Sequence, residues 1–375
     1  MKKFSFSIVL CSLFFIGCAQ DHGPKIQDEL GPIYIYETVV DGIDIPWGMT
    51  FITDTELLVT EKSGILYHVM DGVKTELSGL PEIYVRGQGG LLDVTTAPDF
   101  ETSRVIFFTA SSSDGEAAGG HTALYSAELD GTSLANLKQL YKGEGNTNKG
   151  QHWGSRISFD AEGHLYFSIG DRGNREVNPQ DITRDGGKIY RLNQDGSIPT
   201  DNPFYNQKGS KQAIYSYGHR NPQGMLTHPE TGAIWVHEHG PRGGDEINVI
   251  GAGKNYGWPT ITYGINYSGT PITSDRDLPG LEQPLYYWLP SIAPSGMAFS
   301  TSDNYPKWKG NLLVGSLKFE YLERLVIEDN KVKERHKVLE GVGRIRNIKQ
   351  GPDGLLYLGV EGKGILKIIP KPPLN

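Results

Sequence analysis

A short pattern recurs six times along the chain: a turn-forming segment is followed directly by an apolar strand. The copies are TDTELLVTEKSGILYHV (53–69), PDFETSRVIFFTAS (98–111), DAEGHLYFSIGD (160–171), PETGAIWVHEHG (229–240), YPKWKGNLLVGSL (305–317) and GPDGLLYLGVEG (351–362). They start roughly 45 to 80 residues apart, and a four-stranded propeller blade takes about 40 to 50 residues. The longer intervals therefore indicate blades with extended loops.

The repeat predicts an all-β fold, a six-bladed β-propeller with about four antiparallel strands per blade that forms one domain over residues 31–375. The composition agrees, because 48 glycines, 22 prolines and 10% aromatic residues favour turns and strands over helices. A large β-sandwich or two stacked β domains is the alternative for the same strands. In a propeller, the inner ends of all blades converge on one axial funnel, so residues distant in sequence can share a site.

Residues 1–17 have the features of a lipoprotein-type signal peptide, with a basic start and an apolar run too short to span a membrane. The segment from Phe15 to Cys18 resembles a lipobox, so we expect residues 18–30 to be a lipidated cysteine and a polar tether. A plain secretory signal is the alternative. We expect an exported protein that faces the periplasm and contacts the membrane only through Cys18, and Ala19 favours the outer membrane over the inner one.

Charge and missing motifs exclude several classes of protein. A net charge of −8 argues against nucleic acid as a partner, since phosphate neutralisation needs surplus cations. The sequence contains no Gly-x-Ser-x-Gly elbow, no His-Glu-x-x-His and no Gly-x-Gly-x-x-Gly at a strand–helix junction. The commonest hydrolase signatures and the nicotinamide-binding signature are therefore absent.

The stretch HEHGPRGGDEINVIGAGKNYGWP (237–259) is too rich in glycine and polar groups to be a core strand or helix. The carbonyls of Gly240 and Pro241, with a carboxylate from Asp245 or Glu246, offer all-oxygen ligation, which favours calcium. The two histidines at its start offer a zinc site as an alternative, without a third histidine nearby. A tight turn without any ligand is the other alternative.

The remaining candidate site residues are four cationic side chains and a histidine with a carboxylate partner. Arg344 and Arg346 are two residues apart, so on a strand they project from one face, and with Lys318 and Arg220 they suit a small polyanionic ligand. Unrelated surface salt bridges are the alternative. His152 with a carboxylate partner in Asp171 is the minimum for general-base catalysis, although a structural histidine fits the spacing equally well.

Eight segments in a fixed order carry a resemblance that covers roughly residues 31–369. They are GQGGLLD…PDF, HWGSRISF, SIGDRG, YGHRNPQG, EHGPRGGDEIN, NYGWP, SLK and GRIR. Each is weak alone, and the ordered set is specific. The chain resembles the soluble PQQ-dependent sugar dehydrogenases (quinoprotein glucose dehydrogenase-like), and within them is most similar to the bacterial aldose sugar dehydrogenases. That family has a six-bladed propeller fold.

The resemblance implies two cofactors, PQQ and calcium, and assigns residues to them. It implies a PQQ site lined by Gln88, Arg220, Asn221, Tyr267, Lys318, Arg344 and Arg346. It implies one calcium that bridges PQQ to the carbonyls of Gly240 and Pro241, and a second, structural calcium at Glu246 and the carbonyl of Tyr256.

The implied reaction is the oxidation of an aldose sugar at C1 to an aldonolactone, by hydride transfer to the quinone. The resemblance makes His152 the base, oriented by Asp171, with Arg220 beside the negative charge that grows on the reduced quinone. The chain lacks a haem-attachment Cys-x-x-Cys-His, so electrons are expected to pass to a separate acceptor.

The chain departs from the family pattern in places, and other functions stay open. Short loops such as SSSDGEAAGGH (111–121) predict an open site with relaxed sugar specificity, and His239 stands where some relatives have Gln. The alternatives are a non-catalytic, envelope-anchored propeller that binds sugar or protein, and a metal-dependent lactonase-type hydrolase that uses His152 without a quinone.

Overall fold

A computed structural model of the chain describes residues 23–29 and 34–370. The strands that precede blade one are β1 (Ile26–Asp28) and β2 (Tyr34–Val40). Blade one contains β3 (Pro46–Phe51), β4 (Leu57–Glu61), β5 (Ile65–Met70) and β6 (Val73–Glu76), and blade two contains β7 (Leu91–Thr96), β8 (Val105–Ser112), β9 (His121–Asp130) and β10 (Ser133–Lys142). A one-turn helix, α1 (Phe100–Ser103), connects β7 to β8.

The other four blades follow in chain order. Blade three contains β11 (Ile157–Phe159), β12 (Leu165–Ile169), β13 (Lys188–Leu192) and β14 (Ile214–Tyr217), and blade four contains β15 (Pro222–Thr227), β16 (Ile234–Glu238), β17 (Asp245–Val249) and β18 (Tyr286–Trp288). Blade five contains β19 (Pro294–Phe299), β20 (Leu312–Ser316), β21 (Leu322–Glu328) and β22 (Lys331–Val338), and blade six contains β23 (Ile345–Gln350), β24 (Leu356–Val360), β25 (Gly364–Pro370) and β2.

The six blades form a closed ring. The innermost strand of each blade, β3, β7, β11, β15, β19 or β23, contacts the innermost strand of the next blade, and β23 contacts β3. Blade six is assembled from both ends of the described chain, because β2 pairs antiparallel with β25 as its outer strand. The predicted six-bladed propeller is therefore confirmed, and a sandwich or two stacked domains is excluded.

The six sequence repeats coincide with the second strand of each blade and the turn before it. These strands are β4, β8, β12, β16, β20 and β24, and nearly all of their residues are buried. Because neighbouring blades cover both faces of a blade, the second strand reads as a continuous apolar run rather than an alternating one. Hydrophobic clusters between adjacent blades fill the space around the ring.

The predicted N-terminal segments lie mostly outside the described residues. The signal peptide (1–17) and Cys18 are outside them entirely. Part of the segment expected to be a polar tether (18–30) forms β1, which pairs in parallel with β22, so that Ile26 lies opposite Arg335. Over residues 23–29 and 34–370, no helix is long and apolar enough to cross a bilayer.

Candidate active site

Two adjoining cavities open at one end of the ring, and we call them together the funnel. The smaller, of about 430 Å³, is lined by Gln88, Gln151, His152, Asp171, Gly173, Arg175, Arg220, Pro241, Trp258, Asn266 and Tyr267. The larger, of about 900 Å³, includes Trp47, Lys62, Gln88, Gln223, His239, Pro241, Arg242, Tyr267, Lys318, Arg344, Arg346 and Glu361. Because Gln88, Pro241 and Tyr267 line both cavities, the two are continuous.

The turn before β11 holds His152 in an uncommon backbone conformation. His152 has φ of +58°, in the left-handed region that costs a non-glycine residue about 1–3 kcal/mol. Two side chains fix the turn: the His152 N–H donates to Gln88 Oε1 at 2.8 Å, and the Gly154 N–H donates to Asn221 Oδ1 at 3.2 Å. The imidazole is thus oriented by contacts from two other blades.

His152 and Asp171 form a hydrogen-bonded pair in the smaller cavity. His152 Nδ1 lies 2.6 Å from Asp171 Oδ1, and Asp171 is only 1% exposed. The other carboxylate oxygen accepts a hydrogen bond of 2.9 Å from Trp258 Nε1, and the Gly173 N–H donates to Oδ1 at 2.7 Å. The pair predicted from sequence is therefore in place.

The electrostatics of this pair favour a neutral imidazole beside an ionised carboxylate. Burial lowers the pKa of His152 and the charge of Arg220 lowers it further, although Asp171 opposes both. Burial would raise the pKa of Asp171, but the contacts with His152, the charge of Arg220 and the Trp258 hydrogen bond hold it below its usual value. An ionised Asp171 can only accept, so Nδ1 carries the proton and Nε2 is left as the basic nitrogen.

Arg220 lies between the base and the glycine-rich stretch. Its Nη1 donates to the carbonyls of His239 and Gly240, both at 2.9 Å, and its guanidinium lies 5.4 Å from the Trp258 ring. The backbone N–H of Arg220 donates to the Glu238 carboxylate at 2.5 Å. Arg220 therefore places a fixed positive charge at the wall that His152 also lines.

Cations dominate the larger cavity. Five line it, namely Lys62, Arg242, Lys318, Arg344 and Arg346, against a single carboxylate, Glu361. Glu361 accepts from both Arg344 Nε (2.6 Å) and Arg346 Nε (2.5 Å), so the two arginines share one neutralising charge. Among the residues that the structure describes, Lys318 has no ion pair. This surplus fits a ligand with several carboxylates.

The glycine-rich stretch is a turn fixed by Asp245. The carboxylate of Asp245, fully buried, accepts from the Gly240 N–H at 2.8 Å and from two N–H groups of residues 292 and 293, and burial raises its pKa to about 6. Gly243 and Gly244 have φ of +86° and +71°, which lets the chain double back. Asp245 is thus occupied with backbone donors, which leaves Glu246 as the carboxylate available to a metal.

The two histidines of the stretch do not share a metal site. His239 Nε2 lies 2.5 Å from the carbonyl of Pro294 and so donates a proton there. His237 is buried against Gly224, and neither of its ring nitrogens has a hydrogen-bond partner among the described residues. In the described part of the chain, the one group of three ligating side chains within reach of a common ion is elsewhere, at Asp160, Glu162 and His164. The zinc alternative therefore has no third ligand.

A pair of opposed carboxylates fits a cation site in blade four. Glu238 and Glu246 lie directly opposite each other on β16 and β17, and Asn248 Nδ2 donates to both at 3.3 Å. Like charges in this position destabilise a sheet, and burial together with the Glu238 charge raises the pKa of Glu246. In the part of the chain that the structure describes, Asn248 Oδ1 is buried without a hydrogen-bond partner, so three oxygen-bearing side chains meet here. A divalent cation would relieve both the repulsion and the unpaired oxygen.

Tyr256 approaches this carboxylate pair through a histidine. Its ring stacks on His219 at 4.6 Å, and His219 Nδ1 lies 2.9 Å from Glu238 Oε1. Glu238 was not identified from the sequence, because the register that sets it opposite Glu246 is a property of the folded sheet.

Two predicted funnel residues lie at its margins. Asn221 is 1% exposed and lines neither cavity; its side chain instead supports the His152 turn through Gly154. Tyr267 is 74% exposed at the rim. Sequence reasoning also missed Trp258, Lys62 and Glu361 as site residues, although Lys62 and Glu361 fall within two of the six repeats.

The fold and the site together define the class of protein. It is a closed six-bladed β-propeller with an active-site-like funnel, in which a histidine–aspartate pair lies beside clustered cations. The sequence profile of the Glucose / Sorbosone dehydrogenase family matches residues 43–367 of the chain, which therefore belongs to that family.

Named relatives and solved structures that resemble the chain support this family assignment. The chain is 41% identical over 344 residues to the aldose sugar dehydrogenase YliI of Escherichia coli (strain K12), covering 89% of this chain and 92% of the relative. The crystal structure of the soluble aldose sugar dehydrogenase from Escherichia coli in the apo-form superposes with a TM-score of 0.86 at 39% identity, over 90% of this chain and all of that one. The PQQ-bound form of an aldose sugar dehydrogenase from Streptomyces coelicolor has a TM-score of 0.73 at 26% identity, over 91% of this chain and all of that one. The chain is thus an oxidoreductase of the sugar dehydrogenase family.

Proposed function

We propose that the protein is a PQQ- and calcium-dependent aldose sugar dehydrogenase that oxidises aldoses at C1 to aldonolactones. The observation that carries the proposal is the cavity with five cationic side chains and one carboxylate, which adjoins the cavity of the His152–Asp171 pair. A neutral sugar needs no such charge, whereas a tricarboxylate quinone does. The PQQ-bound relative from Streptomyces coelicolor supports the same assignment.

The residues that would hold the cofactors divide by chemistry. Lys318, Arg344 and Arg346 would bind carboxylates of PQQ, with Gln88 and Arg220 at the junction of the two cavities. The carbonyls of Gly240 and Pro241 would ligate one calcium, and the Gly240 carbonyl also accepts a hydrogen bond from Arg220 Nη1 at 2.9 Å. When bound, PQQ supplies the quinone that accepts a hydride, and calcium acts on it as a Lewis acid.

His152 is the base of the proposed reaction. Its Nε2 takes the proton of the C1 hydroxyl as the hydride leaves C1. Asp171 keeps Nδ1 protonated and stabilises the imidazolium that forms, and Trp258 holds the far oxygen of Asp171 in place. Arg220 contributes positive charge where negative charge develops on the acceptor side.

A second calcium is proposed at the opposed carboxylates of Glu238 and Glu246, with the Tyr256 carbonyl as a further ligand. Its role is structural, because it would join β16 to β17 directly beneath the turn that carries Gly240 and Pro241. This arrangement lets calcium stabilise the funnel wall without touching the substrate.

Export and anchoring are proposed on the sequence alone. Residues 1–17 would direct export, and lipidation at Cys18 would hold the protein at the envelope, on the periplasmic side and preferably at the outer membrane. The chain has no haem-attachment motif, so a separate acceptor would collect the electrons.

Reconstitution tests the proposed function. The purified protein is assayed for dye reduction with a panel of aldoses, with PQQ and Ca²⁺ added together and each alone. Turnover only with both supports the proposal, and the ranking of sugars identifies the substrate. The same preparation without PQQ is assayed for lactone hydrolysis, and activity there would favour a lactonase instead. A protein that neither turns over nor binds PQQ would be a non-catalytic propeller.

A further inference from the structure

A third cavity, of about 340 Å³, lies on the propeller axis at the end opposite the funnel, and we call it the axial cavity. Its position follows from the inner strands. On β3 and β23, the early residues Trp47 and Arg346 line the funnel, whereas Met49 and Lys349, later on the same strands, line the axial cavity. The two spaces are thus successive parts of one axis.

Arg156 separates the axial cavity from the funnel. Arg156 is 4% exposed, and its guanidinium lies 4.0 Å from the Trp47 ring. It donates to the carbonyls of Trp47, Gln223 and Arg346 and to Asp93 Oδ1, with distances of 2.6 to 3.0 Å. Every nitrogen of Arg156 is therefore already engaged, so this arginine contributes charge to the axial cavity but little further hydrogen bonding.

Lys349 brings a second positive charge into the same cavity without a partner. Within residues 23–29 and 34–370, the structure gives its ammonium no hydrogen bond and no ion pair. Asp93 is the carboxylate that lines the same cavity, but both of its oxygens already accept hydrogen bonds. Oδ1 accepts from Arg156, and Oδ2 accepts from the Ile157 N–H at 2.9 Å. Burial lowers the pKa of Lys349 and Arg156 lowers it further, while Asp93 opposes them.

The charges of three blades thus meet across the axis and do not balance. Arg156 and Lys349 give two positive charges against one from Asp93, and all three side chains line the axial cavity. One more hydrogen-bond donor is available on the wall, because Thr301 Oγ1 accepts from Gln350 Nε2 at 2.8 Å and its own proton remains free to donate.

We propose that the axial cavity is a binding site for a small oxyanion or carboxylate, with the Lys349 ammonium as its principal ligand. The anion supplies the negative charge that the three charged groups lack and accepts the hydrogen bonds that Lys349 does not make elsewhere. A cavity of about 340 Å³ has room for phosphate, sulfate or a short carboxylate. The proposal does not depend on the dehydrogenase activity, because no residue that lines the axial cavity also lines either cavity of the funnel.

Isothermal titration of the protein with inorganic phosphate, in a zwitterionic buffer without other anions at pH 7, tests the site. Lys349→Met removes the charge and keeps most of the volume, and Lys318→Met removes an unpaired ammonium from the funnel as a matched control. We expect the wild type and K318M to retain a phosphate site that K349M weakens at least tenfold. If K349M retains this site while K318M loses it, phosphate binds in the funnel and the proposal is wrong. No phosphate binding to the wild type also overturns it.

Two further measurements distinguish loss of the anion site from poor folding of the K349M variant. Lys349→Arg keeps the charge and is expected to keep phosphate binding, whereas a general defect at this position would abolish it in both variants. Crystals of the wild type soaked in selenate should give an anomalous peak within hydrogen-bonding distance of Lys349 Nζ. Selenate peaks confined to the funnel or the outer surface would contradict the proposal without the use of any variant.

Discussion

His152 Nδ1 lies 2.6 Å from Asp171 Oδ1, and this contact fixes which nitrogen of the imidazole can act as a base. Asp171→Asn keeps the shape but presents an amide that can donate to Nδ1, which would move the imidazole proton to Nε2. We expect turnover to fall by about 10³- to 10⁴-fold, as happens when a catalytic histidine loses its orienting carboxylate. Steady-state kinetics with saturating PQQ measure the change.

Asp181→Asn, on the exposed part of the same loop, is the matched control and should leave turnover unchanged. A D171N variant with near-normal turnover and an intact PQQ affinity would show that Asp171 is only structural.

The second prediction concerns Trp258, whose indole Nε1 donates to Asp171 Oδ2 at 2.9 Å. A hydrogen bond to a charged group contributes about 1.5–3 kcal/mol, so Trp258→Phe should lower kcat by roughly ten- to a hundredfold while the KM for sugar changes little. Trp235→Phe, in the core of blade four, controls for loss of a buried indole. An unchanged kcat with a raised KM would instead make Trp258 a substrate-binding residue.

The pH profile should report the environment of His152. Burial and Arg220 lower its pKa below the ordinary 6.5, and the base must be unprotonated to act. Activity should therefore persist as the pH falls to 6.5 and decline only below it. The measurement is kcat/KM as a function of pH with PQQ and calcium saturating. An acid limb with its midpoint above pH 7 would mean that another group is the base.

Lys318 carries the prediction for cofactor affinity. Its ammonium lines the larger cavity without an ion pair in the described structure, so it should contribute fully to an anionic ligand. Lys318→Met should weaken PQQ binding by about ten- to a hundredfold, as measured by fluorescence titration. Lys309→Met, at an exposed lysine paired with Asp303, is the control. Equal PQQ affinity in K318M and K309M would show that Lys318 and its cation cluster do not bind PQQ.

Calcium should stabilise the protein through Glu246. Because Glu238 and Glu246 repel each other across β16 and β17, a divalent cation between them should raise the melting temperature by several degrees. Glu246→Gln removes one charge and should abolish most of that rise, while making the metal-free protein more stable than the wild type. Calorimetric melting with and without Ca²⁺ measures both effects. A full calcium response in E246Q would place the stabilising ion elsewhere.

The sequence predicted the fold because the second strand of every blade is a buried apolar run behind a turn, a pattern that survives divergence. It also predicted that Arg344 and Arg346 share a face, and both contact Glu361. The missed residues depend on contacts between separate strands or blades. Glu361 follows a different strand from the two arginines, and Trp258 lies 87 residues from Asp171. Such pairings are set by register and loop path, which short motifs do not encode.

The strand β1, which lies within the predicted tether, could not be predicted from the sequence either. Its polar composition indicated an extended linker, but a parallel pairing of three residues with β22 requires only backbone donors and acceptors, which every sequence supplies. Side-chain composition therefore could not predict β1.

The most direct test of His152 as the catalytic base separates cofactor binding from proton removal. Wild type and His152→Ala are loaded with PQQ and Ca²⁺, mixed rapidly with an aldose, and followed by the absorbance of the bound quinone. We expect both proteins to bind PQQ, the wild type to reduce it within milliseconds to seconds, and H152A to reduce it at least about 10²-fold more slowly. Equal rates of reduction, or failure of H152A to bind PQQ at all, would contradict the assignment of His152 as the base beside a separate cofactor site.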